Sequence, residues 1–214
     1  MSKNVLVIGT GTIGEPLIGL LAEHKESLGL DKVIFFKRTP LSEEKGKVEA
    51  LIRKGAEIVS TNDAISEFHQ LGFNETKDVE LAYEEADVII DCTPSGNDNW
   101  ETVYSSLSQD KRFLAQGSEH GFGPFFAWGI NNEILSDDSN KFLIASCNTH
   151  NIASIVKSFA LDQQRNLTEG KFVCLRRAND VSQNDSFSPS PTITKHTNQA
   201  FGTHHARDVY ELFA

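Results

Sequence analysis

A glycine-rich turn between an apolar strand and a helix constrains the fold of this chain more than any other feature. Residues 4–8 form a short apolar run, and Gly9, Gly11 and Gly14 follow it in the spacing GxGxxG. Apolar residues then recur at helical intervals, at Ile13, Leu17, Leu20 and Leu21. Glycine turns occur in many folds, but one placed between strand and helix predicts a dinucleotide-binding unit with the pyrophosphate at the helix N-terminus.

The second predicted strand ends in cations where NAD-binding proteins usually carry an acidic residue. Residues 32–36 are apolar after Lys32, and Lys37, Arg38 and Thr39 follow them. Lys37 lies 23 residues after Gly14, close to the ~20 expected for the group that meets the adenosine ribose. Two cations suit a 2′-phosphate, so the sequence favours NADP over NAD, although NAD stays possible. The alternative is that both are solvated charges at a strand end.

The remaining first half alternates between helix and strand patterns. Helices are predicted at 42–54, 62–71, 81–86 and 100–107, and strands at 57–60, 87–92 and 112–115. The apolar strand that ends at Thr93 and Pro94 is typical of a buried parallel strand, and Cys92 reads as a structural residue. We therefore predict the α/β class, a Rossmann-type doubly wound parallel sheet, followed by part of an α+β catalytic domain.

A cysteine opens the next predicted helix. An apolar run from Phe142 leads into Ser146, Cys147, Asn148 and Thr149. The helix is predicted from an apolar periodicity over Ile152, Ile155, Val156, Phe159 and Ala160. N–H groups at a helix N-terminus favour a thiolate and can hold an oxyanion, so Cys147 is a candidate nucleophile. The alternative is a buried small hydrophobe.

The last 44 residues contain further candidates. A strand is predicted over 171–177, ending at Arg176 and Arg177, and a loop over 185–199 precedes a helix at 206–213. His204 and His205 lie just before that helix and could bind an anion, act as acid or base, or ligate a metal. We rank metal last and predict no metal site, because no further ligand cluster is apparent. A solvated histidine pair is the structural alternative.

Composition restricts the class of protein. The 214 residues carry a formal charge of −10 and no basic tract, which argues against nucleic acid and anionic membranes as partners. No signal peptide is apparent, and the three cysteines form neither a CxxC pair nor an even set. We therefore expect a cytoplasmic protein with free thiols.

Taken in order, several motifs together resemble the archaeal type (type II) of glyceraldehyde-3-phosphate dehydrogenase. They are Gly11-Thr-Ile-Gly14, Lys37-Arg-Thr-Pro40, Asp91-Cys-Thr-Pro-Ser-Gly96, Gln116-Gly-Ser-Glu119, Ser146-Cys-Asn-Thr149, Arg176-Arg-Ala178 and His204-His-Ala-Arg-Asp-Val209. The resemblance implies an NAD(P)-dependent phosphorylating oxidation of glyceraldehyde 3-phosphate to 1,3-bisphosphoglycerate, in glycolysis or gluconeogenesis, through a thioester on Cys147.

The resemblance also implies roles for other residues. Ser146 and Asn148 match positions that line the substrate, and His204 and His205 match positions that contact the substrate or its phosphates. Cofactor contacts are implied at the remaining set, Gly9, Gly11, Thr12, Ile13, Gly14, Lys37, Arg38, Gly117 and Arg177. Full-length members are homotetramers that act on a small phosphorylated aldehyde and inorganic phosphate.

The family is longer than this chain. We therefore expect a cofactor domain at 1–146 and an incomplete catalytic domain at 147–214, which lacks the family's general-base histidine. Activity and inactivity of this chain alone are both left open by the sequence. Two alternatives stay open: a semialdehyde dehydrogenase of the aspartate or acetylglutamate type, and a non-catalytic NADP-binding remnant.

Overall fold

The computed structural model describes residues 3–94, 98–116, 121–136, 138–161, 167–174 and 197–214. Contacts between residues divide the chain into two units, Met1–Gln116 and Gly117–Ala214. The boundary between these units lies about 30 residues before the predicted domain boundary, which follows residue 146. The predicted boundary divides the chain by function and stays a prediction.

The first unit alternates strands and helices along the chain. Its elements are β1 (Lys3–Ile8), α1 (Gly14–Glu23), β2 (Leu30–Phe36), a 3₁₀ turn (Ser42–Glu44), α2 (Lys45–Arg53), β3 (Glu57–Ser60), α3 (Ile65–Gln70), β4 (Lys77–Asp78), α4 (Val79–Glu85), β5 (Val88–Asp91), α5 (Asn99–Thr102), a second 3₁₀ turn (Tyr104–Ser106) and β6 (Arg112–Gln116).

The strands of this unit form a parallel sheet in the order β4-β3-β2-β1-β5-β6. Successive strands thus add outward on one side of β1 until β4, and β5 and β6 add on the other side. The carboxyl ends of β1 and β5 therefore flank the point where the strand order reverses, which is where such sheets bind ligands. The predicted α/β class with a Rossmann-type parallel sheet is confirmed.

The apolar run of β1 explains why this strand is central. Val5, Leu6, Val7 and Ile8 are all buried, although successive side chains point to opposite faces of the sheet. Both faces are therefore covered, as a continuous apolar run without alternation predicts.

The glycines of the turn permit a close approach of the backbone. A Cβ added to Gly14 would lie 1.9 Å from the carbonyl oxygen of Gly9 and 3.3 Å from the Cβ of Cys92. Gly9 itself has φ +97°, a conformation that favours glycine. The first turn of α1 can thus lie against the ends of β1 and β5 only because both positions lack side chains.

The buried side of α1 differs from the predicted one. Of the four apolar residues in the predicted pattern, Leu17 and Leu21 pack against the core, partly buried, whereas Ile13 and Leu20 are exposed. The fully buried residues are Gly14, Ile18, Gly19 and Ala22. The close approach at Gly14 explains the difference, because it fixes the rotation of the helix so that Ile18 and Ala22 enter the core and Gly19 faces Leu51 and Lys54.

A buried carboxylate organises the carboxyl end of β5. Asp91 accepts hydrogen bonds from the backbone N–H and the hydroxyl of Thr93, at 2.8 and 2.6 Å, on Oδ1. Its Oδ2 accepts from Asn99 Nδ2 at 2.7 Å and from the Tyr104 hydroxyl at 2.8 Å. The predicted helix at 100–107 is interrupted at Val103, where φ is −131°, and Tyr104 begins a separate turn. The carboxylate thus links the turn after β5 to the segment that follows.

The second unit is described in part. Its elements are β7 (Phe125–Phe126), a 3₁₀ turn (Asn132–Ser136), β8 (Lys141–Ile144), α6 (Cys147–Val156), a π-helical turn (Lys157–Leu161), β9 (Thr197–Asn198), β10 (Gly202–Thr203) and α7 (His204–Phe213). β7 and β8 pair in parallel, and β9 and β10 form an antiparallel pair.

The strand predicted over 171–177 is wrong for residues 171–174, which have no regular structure and are exposed. This segment has no neighbouring strand to supply ladder hydrogen bonds in the part of the chain that the structure describes.

Within the same described part, no helix is both long and apolar enough to cross a bilayer.

The Gly14 contact can be tested by adding one methyl group. We expect Gly14→Ala to lower the free energy of unfolding by about 1–3 kcal/mol, because the new Cβ overlaps backbone that cannot rotate away. Gly46→Ala in α2 is the matched control, since its Cβ meets nothing within 4 Å, and should raise stability by about 0.5–1 kcal/mol. Urea unfolding followed by circular dichroism measures both, and equal effects would contradict the steric account.

The hydroxyl of Tyr104 can be removed by Tyr104→Phe. Because it donates to a buried carboxylate, its loss should lower the free energy of unfolding at pH 7 by about 1.5–3 kcal/mol. Burial first, and then the Asp91 charge, raise the pKa of Tyr104 above its ordinary value of 10. Its contribution is therefore complete below pH 10 and is lost as the pH rises further.

The alkaline decline of stability should accordingly be shallower in Tyr104→Phe than in the original chain. Burial also raises the pKa of Tyr83 to about 12, so part of the decline remains in the variant. Exposed Tyr210→Phe is the control and should leave the slope unchanged. Parallel slopes for all three proteins would show that Tyr104 does not titrate as proposed.

Candidate functional site

Cys147 is the first residue of α6, directly after β8 and a two-residue connection, and its side chain is exposed. The interpretation of Cys147 as a buried small hydrophobe is therefore wrong. That interpretation fits Cys92 instead, which is buried in the first unit. Burial, together with the Asp91 charge, raises the pKa of the Cys92 thiol to about 12 and keeps it unreactive near neutral pH.

Ser146 caps the cysteine helix. Its backbone is extended, and its Oγ accepts a hydrogen bond from the N–H of Thr149 at 3.4 Å. The same hydroxyl donates to Thr149 Oγ1 at 2.9 Å. Ser146 therefore stabilises the first turn of α6, in addition to the substrate contact that the resemblance implies for it.

The inward side of α6 is formed by small and polar residues. Thr149 and Ala153 are fully buried, and Ala153 packs in a cluster with Ala127, Ala145 and Leu212. Of the predicted apolar face, Val156 and Ala160 are buried, but Ile155 and Phe159 are 40% and 68% exposed. As in α1, small side chains give closer packing than the large apolar ones that define the periodicity.

Thr149 connects the cysteine helix to the histidine pair. Its Oγ1 lies 3.3 Å from Nδ1 of His205, within hydrogen-bonding distance. His204 and His205 begin α7, where Thr203 Oγ1 accepts from the N–H of Ala206 at 3.2 Å, and the two imidazole centroids are 3.9 Å apart. The structure thus joins two motifs more than fifty residues apart in sequence, through a residue that the sequence did not single out as part of the site.

Asp208 joins the histidine pair and was missed in the sequence. One ligand atom from each of His204, His205 and Asp208 lies within 4.8 Å of the others. The reason for ranking a metal last, that no further ligand was apparent, therefore fails. The helical spacing His204-x-x-x-Asp208 was the available signal. Arg207 donates from Nε and one terminal nitrogen to Asp208 Oδ1, at 3.1 and 2.8 Å, and balances the charge of this buried carboxylate.

Asn148 and His205 line a cavity of about 820 Å³ in the second unit. The cavity lies between α6, α7 and residues 167–174, and its wall is mostly apolar. Ile152, Val156, Phe172 and Val209 contribute to that wall. Asn148 and His205 are therefore polar groups at the edge of an apolar space.

The predicted cofactor residues of the glycine turn lie together in the first unit. α1 begins at Gly14 with Ile13 as its N-cap, and no side chain caps its first turn. Thr12 is half-buried and Ile13 is 49% exposed. A Cβ added to Gly11 would meet nothing within 4 Å, so the space beside the turn is open.

Lys37 and Arg38 differ in environment. Arg38 is exposed, whereas Lys37 is only 6% exposed and its ammonium forms an ion pair with Glu44. The alternative of a solvated strand-end charge is therefore wrong for Lys37. Gly117 and Arg177, also predicted to contact the cofactor, lie outside the described residues.

Sequence comparison connects the chain to known enzymes, although no protein-family model matches it. It is 26% identical to glyceraldehyde-3-phosphate dehydrogenase of Sulfurisphaera tokodaii over 96% of the chain and 57% of that protein. The same enzyme of Methanobrevibacter smithii is 27% identical over 85% of the chain and 52% of that protein. The predicted resemblance is confirmed. The chain spans little more than half the length of these archaeal glyceraldehyde-3-phosphate dehydrogenases.

Solved structures give weaker similarities. Haloferax mediterranei glucose dehydrogenase in complex with NADP, Zn and gluconolactone aligns with TM-score 0.38 and 16% identity, over 68% of the chain and 36% of that protein. Apo D-lactate dehydrogenase from Escherichia coli aligns with TM-score 0.38 and 14% identity, over 77% and 52%.

The different thiol environments predict selective alkylation. Iodoacetamide at pH 8 should modify exposed Cys147 and Cys174 and spare Cys92 in the folded chain, and should modify all three in urea. Peptide mass spectrometry identifies the sites, and Cys147→Ser is the control that should leave Cys174 as the modified residue. Modification of Cys92 at a rate similar to that of Cys147 would contradict the described burial.

Proposed function

We propose that this chain provides the dinucleotide-binding unit and the nucleophilic cysteine of a phosphorylating glyceraldehyde-3-phosphate dehydrogenase. The reaction oxidises glyceraldehyde 3-phosphate to 1,3-bisphosphoglycerate with NAD(P)⁺ and inorganic phosphate. The observation that carries the proposal is the exposed Cys147 thiol at the first residue of α6. The similarity to archaeal glyceraldehyde-3-phosphate dehydrogenases over 96% of the chain supports the choice of reaction.

The residues of the glycine turn fit a dinucleotide. The first turn of α1 has no side-chain cap. The N–H groups of Glu15 and Leu17 donate to the carbonyl oxygens of Gly11 and Ile13 and Pro16 has no N–H, so the N–H of Gly14 is the donor of this turn assigned to the pyrophosphate. The open space at Gly11 leaves room for that group beside the backbone. A bound nicotinamide supplies the hydride acceptor of the reaction.

The proposed chemistry on Cys147 has three steps. The thiolate adds to the aldehyde carbon and forms a thiohemiacetal. Transfer of hydride from that carbon to a bound nicotinamide, with release of the hydroxyl proton to solvent water, would give a thioester on Cys147. Phosphate oxygen then attacks the thioester carbon, the C–S bond breaks, and the thiolate and an acyl phosphate are released. The thioester conserves the free energy of oxidation for acyl transfer to phosphate.

The neighbouring polar groups have proposed roles in binding the substrate. Asn148, at the cavity edge, and the N–H groups of α6 can donate to the developing oxyanion. Ser146 orders the first turn of α6 and lines the substrate. His204 and His205 bind the phosphate of the substrate, and Thr149 fixes the ring of His205 through Nδ1.

Cofactor binding can be tested without turnover. We expect Gly11→Ala to weaken NADPH binding by about tenfold or more, because the methyl group enters the space proposed for the pyrophosphate. Its urea midpoint should match the original chain, since the methyl group contacts nothing in the empty turn. NADPH fluorescence titration measures the affinity, and unchanged affinity in a folded variant would rule out the proposed pyrophosphate position.

Turnover separates the proposed reaction from the two alternatives. Glyceraldehyde 3-phosphate with NADP⁺ and phosphate should be oxidised, and Cys147→Ser should lower kcat by about a thousandfold or more. Oxidation of aspartate semialdehyde instead would favour the semialdehyde dehydrogenase. Binding of NADPH without turnover is the result for the remnant and also for an enzyme that lacks its general base, so iodoacetamide labelling of Cys147 at graded pH separates these two. A thiol without enhanced reactivity would favour the non-catalytic remnant.

A further inference from the structure

The carboxylate of Glu44 lies between two lysines in the first unit. The ammonium of Lys37 donates to Glu44 Oε2, and that of Lys47 donates to Oε1 at 2.9 Å. Burial alone would raise the pKa of Glu44, but hydrogen bonds and positive charge from both lysines outweigh it and hold the pKa below the ordinary value. The carboxylate is therefore ionised at neutral pH, and each of its oxygens has a cationic donor.

This cluster connects the end of β2 to the glycine turn. Lys37 directly follows β2, and its backbone is fixed to β3 by hydrogen bonds to Val59 and from Ser60. Lys47 Nζ also donates to the carbonyl oxygen of Thr10, inside the glycine turn, at 3.1 Å. An ion pair of 3.4 Å joins Lys47 to Glu15, in the first turn of α1. The lysines thus lie beside the segment assigned to the dinucleotide.

The burial of Lys37 makes an anionic partner necessary. An ammonium that is 6% exposed has lost most of its hydration, and a charge in that position is stable only when it is paired. Glu44 provides the partner within the chain. A ribose 2′-phosphate carries about −1.5 to −2 charges at pH 7 and three acceptor oxygens, so it could serve both lysines equally well.

We propose that Glu44 is a specificity-determining residue that competes with the 2′-phosphate of NADP for Lys37 and Lys47. NAD has no 2′-phosphate and leaves the Lys37–Glu44–Lys47 cluster intact. Binding of NADP requires the carboxylate of Glu44 to leave the lysines, and its repulsion of the phosphate adds to that cost. Lys37 and Arg38 alone predict a preference for NADP at the end of β2. Because Glu44 competes with the 2′-phosphate, the preference is smaller than these two cations predict. This inference rests on the proposed cofactor function.

The test compares two neighbouring carboxylates. Glu44→Gln removes the competing charge, and Glu43→Gln removes the same charge from an exposed residue whose hydrogen-bond partner is Ser42. Glu44→Asp keeps the charge, and thus a partner for Lys37, but withdraws it by one methylene group. Affinities for NADPH and NADH are measured by fluorescence titration in low salt, and urea unfolding reports whether each variant is folded.

We expect Glu44→Gln to raise NADPH affinity by about tenfold while NADH affinity stays within about twofold. Glu44→Asp should raise NADPH affinity by a smaller factor. If Glu44→Gln does not fold, the NADPH affinity of Glu44→Asp tests the inference in its place. Glu43→Gln should change neither affinity by more than about twofold. Unchanged NADPH affinity in folded Glu44 variants would overturn the inference, and a loss of NADH affinity would show that Glu44 accepts from the ribose hydroxyl instead. If the original chain binds neither cofactor, the proposed function itself fails and the inference fails with it.

Discussion

The first unit depends on the contact between Gly14 and the carbonyl group of Gly9. Because a Cβ at Gly14 would lie 1.9 Å from that oxygen, the first turn of α1 can occupy its position only with glycine there. With α1 in that position, Ile18 and Ala22 pack in the core cluster that includes strand residues, Gly19 faces Leu51 and Lys54, and Leu20 stays outside. The same position also brings the helix N-terminus beside the ends of β1 and β5, where a parallel sheet binds its ligand. One backbone contact thus determines both the packing of the helix and the location of the proposed cofactor site.

The helices α1 and α6, whose N-termini lie at the two proposed sites, differ in whether a side chain caps the N–H groups of the first turn. α1 starts without a side-chain cap, whereas Ser146 caps α6 through the N–H of Thr149. At α1 the N–H of Glu15 already donates to the carbonyl oxygen of Gly11 and Pro16 has no N–H, so the donor assigned to an anionic ligand is the N–H of Gly14. A capped N-terminus such as that of α6 is stable before any ligand arrives. This difference suits the proposed roles, because the pyrophosphate binds as a ligand at α1, whereas Cys147 is a permanent part of α6.

The sequence predicted the order of strands and helices in the first unit because apolar runs and glycine spacing are local signals. It predicted less well which side of a helix is buried, since large residues such as Leu20 and Phe159 dominate the periodicity although small residues form the contacts. The same limit applies to the sites. Cys147 and the histidines were recognisable from residue type, but the hydrogen-bond contact between Thr149 and His205 joins residues 56 positions apart. Such a contact depends on tertiary structure, and no local sequence pattern predicts it.

Two carboxylates connect the ends of secondary structure elements in the first unit. Asp91 joins the end of β5 to Asn99 and Tyr104, and Glu44 joins the end of β2 to α2 and, through Lys47, to the glycine turn. In both places each carboxylate oxygen is satisfied and one charge is buried, that of Asp91 itself at β5 and that of Lys37 beside Glu44 at β2, so displacing the partner requires an equally good substitute. Asp91 meets neutral donors and has no evident competitor among ligands. Glu44 meets two cations beside a proposed phosphate site, and the same physics that stabilises the fold there makes Glu44 a competitor of the ligand.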